Sequence, residues 1–165
     1  MMTIAPLGAA AAPGMRMKTD REVIEGALAL VEADAGWTQG THYRDADGAQ
    51  VQPSVDSPGE WVRVHTEHVG GSGFMAWTES GASPCSYCLG GALRAAAGYW
   101  HAEHPQAAQA QIEHLEDLLL QLAAPPAGPE WWLTLQAYND DAHTTQADAV
   151  LLLKRAMAHL DAQGR

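Results

Sequence analysis

Four residues come nearest to a reaction centre: His65, Glu67, Cys85 and Cys88. His65-Thr66-Glu67, followed by Pro84-Cys85-Ser86-Tyr87-Cys88, has the residue types that zinc-dependent deamination requires. His65 and two thiolates would hold the metal and leave a fourth position for water, and Glu67 would carry a proton from that water to the departing amine. Cys85 and Cys88 stand three apart beside an expected helix start, where their sulfurs can converge on one ion and the helix dipole favours the thiolate. The elements that should bring His65 and Glu67 to them are harder to find. Deamination of this kind mounts the His and Glu at the start of a helix, and a strand follows before the cysteines. Here the intervening sixteen residues, His68 to Ser83, include Gly70, Gly71 and Gly73, and each glycine costs ~1 kcal/mol in a helix. With its carrier helix missing, a zinc-dependent deaminase-like hydrolase is the alternative reading and not the leading one.

The same thiols allow two other chemistries. With two of His65, His68, His101 and His104 they would form a structural zinc site, although on a strand His65 and His68 point to opposite faces. His101 and His104 would align on a helix but sit beside Pro105, an expected boundary. Cys88 would be a nucleophile if His143 were its base and Asn139 or Asp140 oriented that base. Its helical face also carries Leu89, Ala92 and Ala96, which favours a packed thiol with a raised pKa and little reactivity. The expectation is therefore no metal and no cofactor; if zinc is bound, its ligands are His65, Cys85 and Cys88 and the catalytic residue is Glu67. Asn139, Asp140 and His143, together with Trp37, are read as a polar rim facing a partner or ligand, in competition with a plain role in satisfying turn and helix-start amides. A calcium loop at Asp45-Ala46-Asp47-Gly48 fails, because Tyr43 and Ser54 stand where an acidic first ligand and a bidentate Glu are needed.

Thr19-Asp20-Arg21-Glu22 is a capping box, and Val23, Ile24, Ala27, Leu28 and Val31 recur at helical spacing until Gly36 stops the helix. Thr41 to Arg44 and Ala49 to Gln52, joined by the Asp45 to Gly48 turn, predict a small hairpin. Trp61-Val62-Arg63-Val64-His65 and Phe74-Met75-Ala76-Trp77, joined around Gly70-Gly71, predict a second one inside a Gly/Ser/Pro-rich insert over 53–83. Ser83-Pro84 then opens a helix toward Gly98 whose small-residue face puts it at the centre of the packing. Pro105 begins another, with Ile112, Leu115, Leu118, Leu119 and Leu122 as its apolar stripe. Glu130 to Tyr138 is short and aromatic and is read as helix, which would turn Trp131 and Trp132 apart and expose one of them. Thr145 caps a last helix with a seam of Val150, Leu153, Met157 and Leu160. The expected fold class is mainly α: a small domain of about four to five helices with one or two short β-hairpins between the first helix and the central cysteine-containing helix.

A chain of 165 residues that is 47% apolar has material for one core. It is divided here into a flexible N-terminal tail, 1–18, and a single domain, 19–165. The net charge of -11 repels phosphate backbones and anionic membranes, so no direct nucleic-acid partner and no membrane association are expected. No apolar run approaches the ~20 residues that span a bilayer. Arg16 and Lys18 follow the apolar opening instead of preceding it, the wrong order for a signal peptide, which points to the cytoplasm. Two cysteines only three apart would staple little.

Gly36-Trp37-Thr38-Gln39-Gly40 with Asp45-Ala46-Asp47-Gly48, then Tyr87-Cys88-Leu89-Gly90-Gly91-Ala92-Leu93, then Tyr138-Asn139-Asp140 before the Thr-capped last helix, resembles a family of uncharacterised bacterial and phage proteins, the domain of unknown function 6197. Its members usually carry Trp-Asn-Asp where this chain has Tyr138-Asn139-Asp140. The resemblance runs in pieces from about Thr19 to Leu160. It implies a small helix-dominated cytoplasmic domain and no known activity. The stretch between Val51 and Pro84, with His65, Glu67 and His68, departs from it. The expected function is that of a non-catalytic protein-binding or regulatory module whose partner is another protein.

Overall fold

The computed structural model of the protein describes residues 16–57, 59–123 and 134–164. Helix α1 (Asp20–Glu32) starts on the expected capping box: the Glu22 amide donates to Thr19 Oγ1 at 3.2 Å and the Thr19 amide donates to the Glu22 carboxylate at 2.7 Å. Val23, Ile24, Ala27 and Val31 go into the core, as their spacing requires. The last helix, running over Gln146–Ala162, opens on the same device, with Thr145 and Asp148 in the two roles. Its buried face is Ala149, Leu152, Leu153, Ala156 and Leu160, with Val150 and Met157 at the margin, so the apolar seam is turned slightly from the expected one. The stripe of the helix over Pro105–Leu122 is buried at Ile112, Leu115, Leu118 and Leu119.

Between α1 and the cysteine-containing helix the chain is mostly sheet, and this overturns the expectation of a mainly helical domain. The described residues form five α-helices and five strands, 47% helix and 17% strand, with the strands in two antiparallel sheets. The fold class is mixed α/β. Between β1 (Tyr43–Arg44) and β2 (Val51–Pro53) the predicted hairpin is reduced to one antiparallel bridge, Arg44 to Gln50, and the Asp45 amide donating to Ala49 O at 2.9 Å around the turn. β2 instead pairs with β3 (Trp61–His68), which pairs with β4 (Phe74–Ser80), giving a three-stranded sheet in the order β2-β3-β4. β3 outruns its predicted segment because Thr66, Glu67 and His68 keep pairing, with Ala76, Met75 and Phe74, and β4 because Thr78, Glu79 and Ser80 pair with Val64, Arg63 and Val62. Polar residues end a strand in a sequence reading that expects one buried face, but a hairpin wet on both faces has no such limit. Gly70 and Gly71, with φ of 88° and 57°, supply the left-handed turn between them.

β1 finds its partner in β5 (Ser86–Tyr87), with Tyr43 opposite Tyr87 and Arg44 opposite Ser86. This pairing moves the start of the next helix. The segment expected to begin a helix at Pro84 is held extended: the Cys85 amide donates to Arg44 O at 2.7 Å and the Tyr87 amide to Gly36 O at 2.8 Å. Helix α2 (Leu89–Ala97) therefore begins later, with Cys88 as its cap, and ends on Gly98 in the left-handed region, φ 69°. α2 packs on α1, on α3 (Pro105–Leu122) and on α4 (Leu135–Asn139), while α1 also packs on α5 (Gln146–Ala162). The expected close approach on its small-residue face is present: a Cβ on Gly26 of α1 would lie 3.0 Å from the Ala96 Cβ.

Residues 1–15 of the predicted tail, and Trp131 and Trp132, lie outside the described residues. Lys18, assigned to that tail, donates its ammonium to Ala96 O at 2.5 Å. No helix among the described residues is long and apolar enough to cross a membrane.

The start of α2 leaves no room for a side chain at Gly91, where a Cβ would stand 2.4 Å from His42 O. Gly91→Ala should lower stability by about 3 kcal/mol through this backbone clash. Urea unfolding is the measurement, and Gly26→Ala, whose neighbour is a side-chain methyl, should cost clearly less.

Candidate functional site

Continuing the β1–β5 register by one pair sets His42 across from Cys88, and the Cys88 amide donates to His42 O at 3.0 Å. The side chains meet as well: His42 Nδ1 is 3.0 Å from Cys88 Sγ. Cys88 is fully buried, and its sulfur accepts from the Gly91 amide at 3.2 Å, which makes it the cap of α2. Burial pushes the thiol up to about 11, against the pull of the Gly91 and Gly90 amides. The imidazole is moved the other way: desolvation and the Arg94 guanidinium hold it below its ordinary value of 6.5, opposed by Glu116 and Asp140. Both shifts favour the uncharged partners, a thiol beside a neutral ring. Cys88 is thus buried as the cap of α2.

Asn139 ties the surroundings together. It is fully buried at the end of α4, and its Oδ1 accepts from Trp37 Nε1 at 3.0 Å and from the Leu89 amide at 3.1 Å. Its Nδ2 donates to Thr38 O at 3.0 Å and to Asp140 Oδ1 at 2.9 Å. One carboxamide thus joins the loop after α1, the start of α2 and the end of α4, with all of its hydrogen-bonding capacity used. Gln39 adds to the seam by donating to the carbonyls of Asn139 and Asp141. Burial alone would raise Asp140, but the Gly40 amide, Asn139 and Gln136 donate to it and hold its carboxyl below the usual range.

Trp37, Asn139 and Asp140 of the predicted rim are therefore brought together. His143 is not: its ring is exposed and bonds Asp141 at 3.0 Å. His143 was the base considered for a nucleophilic Cys88, an option ranked below a packed thiol, whereas the histidine beside Cys88 is His42. His42 and Gln136, whose Oε1 lies 3.7 Å from Cys88 Sγ, were not singled out in the sequence. They line a polar cleft of about 460 Å³ with Gly40, Thr41, Gln50, Arg94 and Glu116. Across it Arg94 bonds Glu116 at 2.8 Å.

The residues of the deaminase pattern are dispersed among other partners. His65 lies on β3, stacks on Trp77 with ring centroids 5.2 Å apart, and bonds Glu79 at 3.0 Å. Glu67 is exposed near the end of the same strand, opposite Met75. Cys85 is exposed and free, Cys88 is buried on His42, and among the described residues no three His, Cys, Asp or Glu side chains are grouped so as to hold a metal ion. Asp45 and Asp47 face the Arg63 guanidinium at 2.6 and 2.8 Å, and Asp45 Oδ1 also accepts two turn amides, as turn chemistry predicted.

A second candidate surface is the hairpin itself. All seven residues of β4 are exposed, and β4 is the outer strand of its sheet. Phe74, Met75 and Trp77 on it are 72%, 49% and 44% exposed, and Val69 in the adjoining turn 55%.

The chain matches the family of unknown function DUF6197 over residues 15–159, and so belongs to that family. Its function is uncharacterised at the level of the family. No curated protein and no solved structure matches it.

Two measurements test this account of the buried site. Asn139→Ala strands the Trp37 indole N–H and the Leu89 amide, each at ~1–3 kcal/mol, and should lower the urea midpoint far more than an exposed Asn or Gln replacement. For His42, the unfolded ring takes up its proton near pH 6.5 and the folded ring only at lower pH, so between those values the unfolded state binds more protons. Its contribution is then whole above pH 6.5 and lost as the pH falls through the folded value. His42→Gln should flatten the decline of the urea midpoint between about pH 7 and 5.

Proposed function

We propose that this protein is a protein-binding module whose docking element is β4, and that its partner presents a basic, extended segment that adds to the sheet edge. One observation carries the reading: an outer strand of seven residues, exposed throughout, displays Phe74, Met75 and Trp77. Edge strands usually carry charges or cover to prevent such pairing. This one carries a single ionisable residue, Glu79, and large apolar groups. Strand addition supplies affinity through main-chain hydrogen bonds and specificity through alternate side chains. Here Met75 and Trp77 share one face of β4, and Phe74 and Ala76 the other. The net charge of -11 favours a cationic partner and speeds its encounter. Two unpaired thiols agree with a reducing, cytoplasmic setting.

The test compares the full-length chain with Phe74→Lys/Trp77→Lys as baits in a lysate of the source organism. The variant should stay folded and lose only about 1 kcal/mol, the worth of the Trp77–His65 and Phe74–His68 ring contacts. The parent should retain a protein that the variant loses, and a synthetic peptide of that protein's basic segment should shift the backbone amide resonances of Phe74 to Ser80, with affinity falling as salt rises. Equal capture by both baits, no capture at all, or peptide-induced shifts confined to other elements would overturn the reading.

A further inference from the structure

His42 and Gln136 stand between the polar cleft and the buried sulfur of Cys88, which is not itself part of the lining. Both line the cleft, and both touch Sγ, at 3.0 and 3.7 Å. The thiol has no exposed surface of its own, and an imidazole and a carboxamide are among the groups against it. The sulfur caps α2 through the Gly91 amide and the β1 register delivers the imidazole to it, so a thiol and a ring nitrogen able to take its proton share one contact.

We propose that Cys88 and His42 form a nucleophile–base pair that accepts an acyl group from a small thioester bound in this cleft, with Gln136 as the side chain displaced when the acyl carbonyl enters. The inference is independent of docking at β4. In the step, the thiol proton passes from Sγ to His42 Nδ1 as the sulfur forms a bond to the carbonyl carbon. The tetrahedral intermediate collapses by breaking the original carbon–sulfur bond, and the imidazolium returns the proton to the departing thiolate. One thioester is exchanged for another, and no oxidant or reductant takes part. The developing thiolate lies at the start of α2, where the Gly91 amide already points at it. The charged groups around the ring are Arg94 on α2, Glu116 on α3 and Asp140 after α4. Glu116 and Asp140 favour the imidazolium formed on proton transfer, and Arg94 is held by Glu116 at 2.8 Å. A ring that stays neutral to below pH 6.5 is available as a base over the whole neutral range.

S-phenyl thioacetate is the probe, and Cys85→Ser is the background, which removes the exposed thiol. Intact-protein and peptide mass spectrometry should find one acetyl group, on Cys88, with thiophenol released in equal amount. His42→Gln in that background should slow acetylation about 100-fold, with an unchanged circular dichroism spectrum. Gln136→Ala should speed it by opening the path to the sulfur. The rate should rise with pH only through the His42 transition, below 6.5, and then stay level. A thiol ionising without a base would instead keep accelerating past about pH 9. No acetyl group on Cys88 in the Gln136→Ala chain, an undiminished rate in His42→Gln, or a rate with no plateau between pH 6.5 and about 9 would each overturn the proposal.

Discussion

The architecture depends on a single buried carboxamide. Asn139 is fully buried, and its two acceptor and two donor positions are met by the Trp37 indole, the Leu89 amide, the Thr38 carbonyl and the Asp140 carboxylate. A helix start placed in a protein interior has amides that cannot turn to water, and leaving one without a partner costs most of a hydrogen bond's desolvation. Asn139 meets that need at Leu89 while Cys88 meets it at Gly91. Because the same side chain also holds the loop after α1, the first helix, the central helix and α4 are fixed relative to one another at one point. Among the described residues no buried side-chain nitrogen or oxygen lacks a partner.

From that point the geometry of the thiol follows. With the Gly36 to Thr38 loop held in place, Tyr87 is bracketed by Gly36 O and the Thr38 amide, and β1 lies along its other side. The register then has no freedom, since moving β1 by one residue would turn Tyr43 out of the core, where it is almost fully buried against Trp61 and Tyr87. His42 reaches Cys88 as a consequence of where the tyrosine has to go. The glycines at 90 and 91 leave the space for its backbone and ring to come so near.

What could be read from the residues was local. Thr19 and Glu22, Thr145 and Asp148, the apolar stripe of α3 and the Asp45 turn each declare themselves within a few positions, because the forces that set them act over one helical turn. The small-residue face of α2 was legible for the same reason. The β1–β5 pair was not, since two-residue strands carry no periodicity and their partners lie on opposite sides of a whole sheet. That omission shifted the start of α2, hid Cys88 as a cap and left His42 out of the site. Asn139, Asp140 and Trp37 were recognised as polar and aromatic candidates, and packing gathers them as a seam with His143 outside it. The deaminase pattern matched in residue type and failed in placement, because the hairpin takes His65 to Trp77 and Glu79.

β1 and β5 hold Arg44 and Ser86 side by side. Everything between them, β2, β3 and β4 included, is therefore a closed excursion that leaves the helical core and returns to the same spot. Lengthening such a loop adds only about 0.6 kcal/mol per doubling of its length. An excursion of a different length would close on the same Arg44 and Ser86 pair at little added entropic cost.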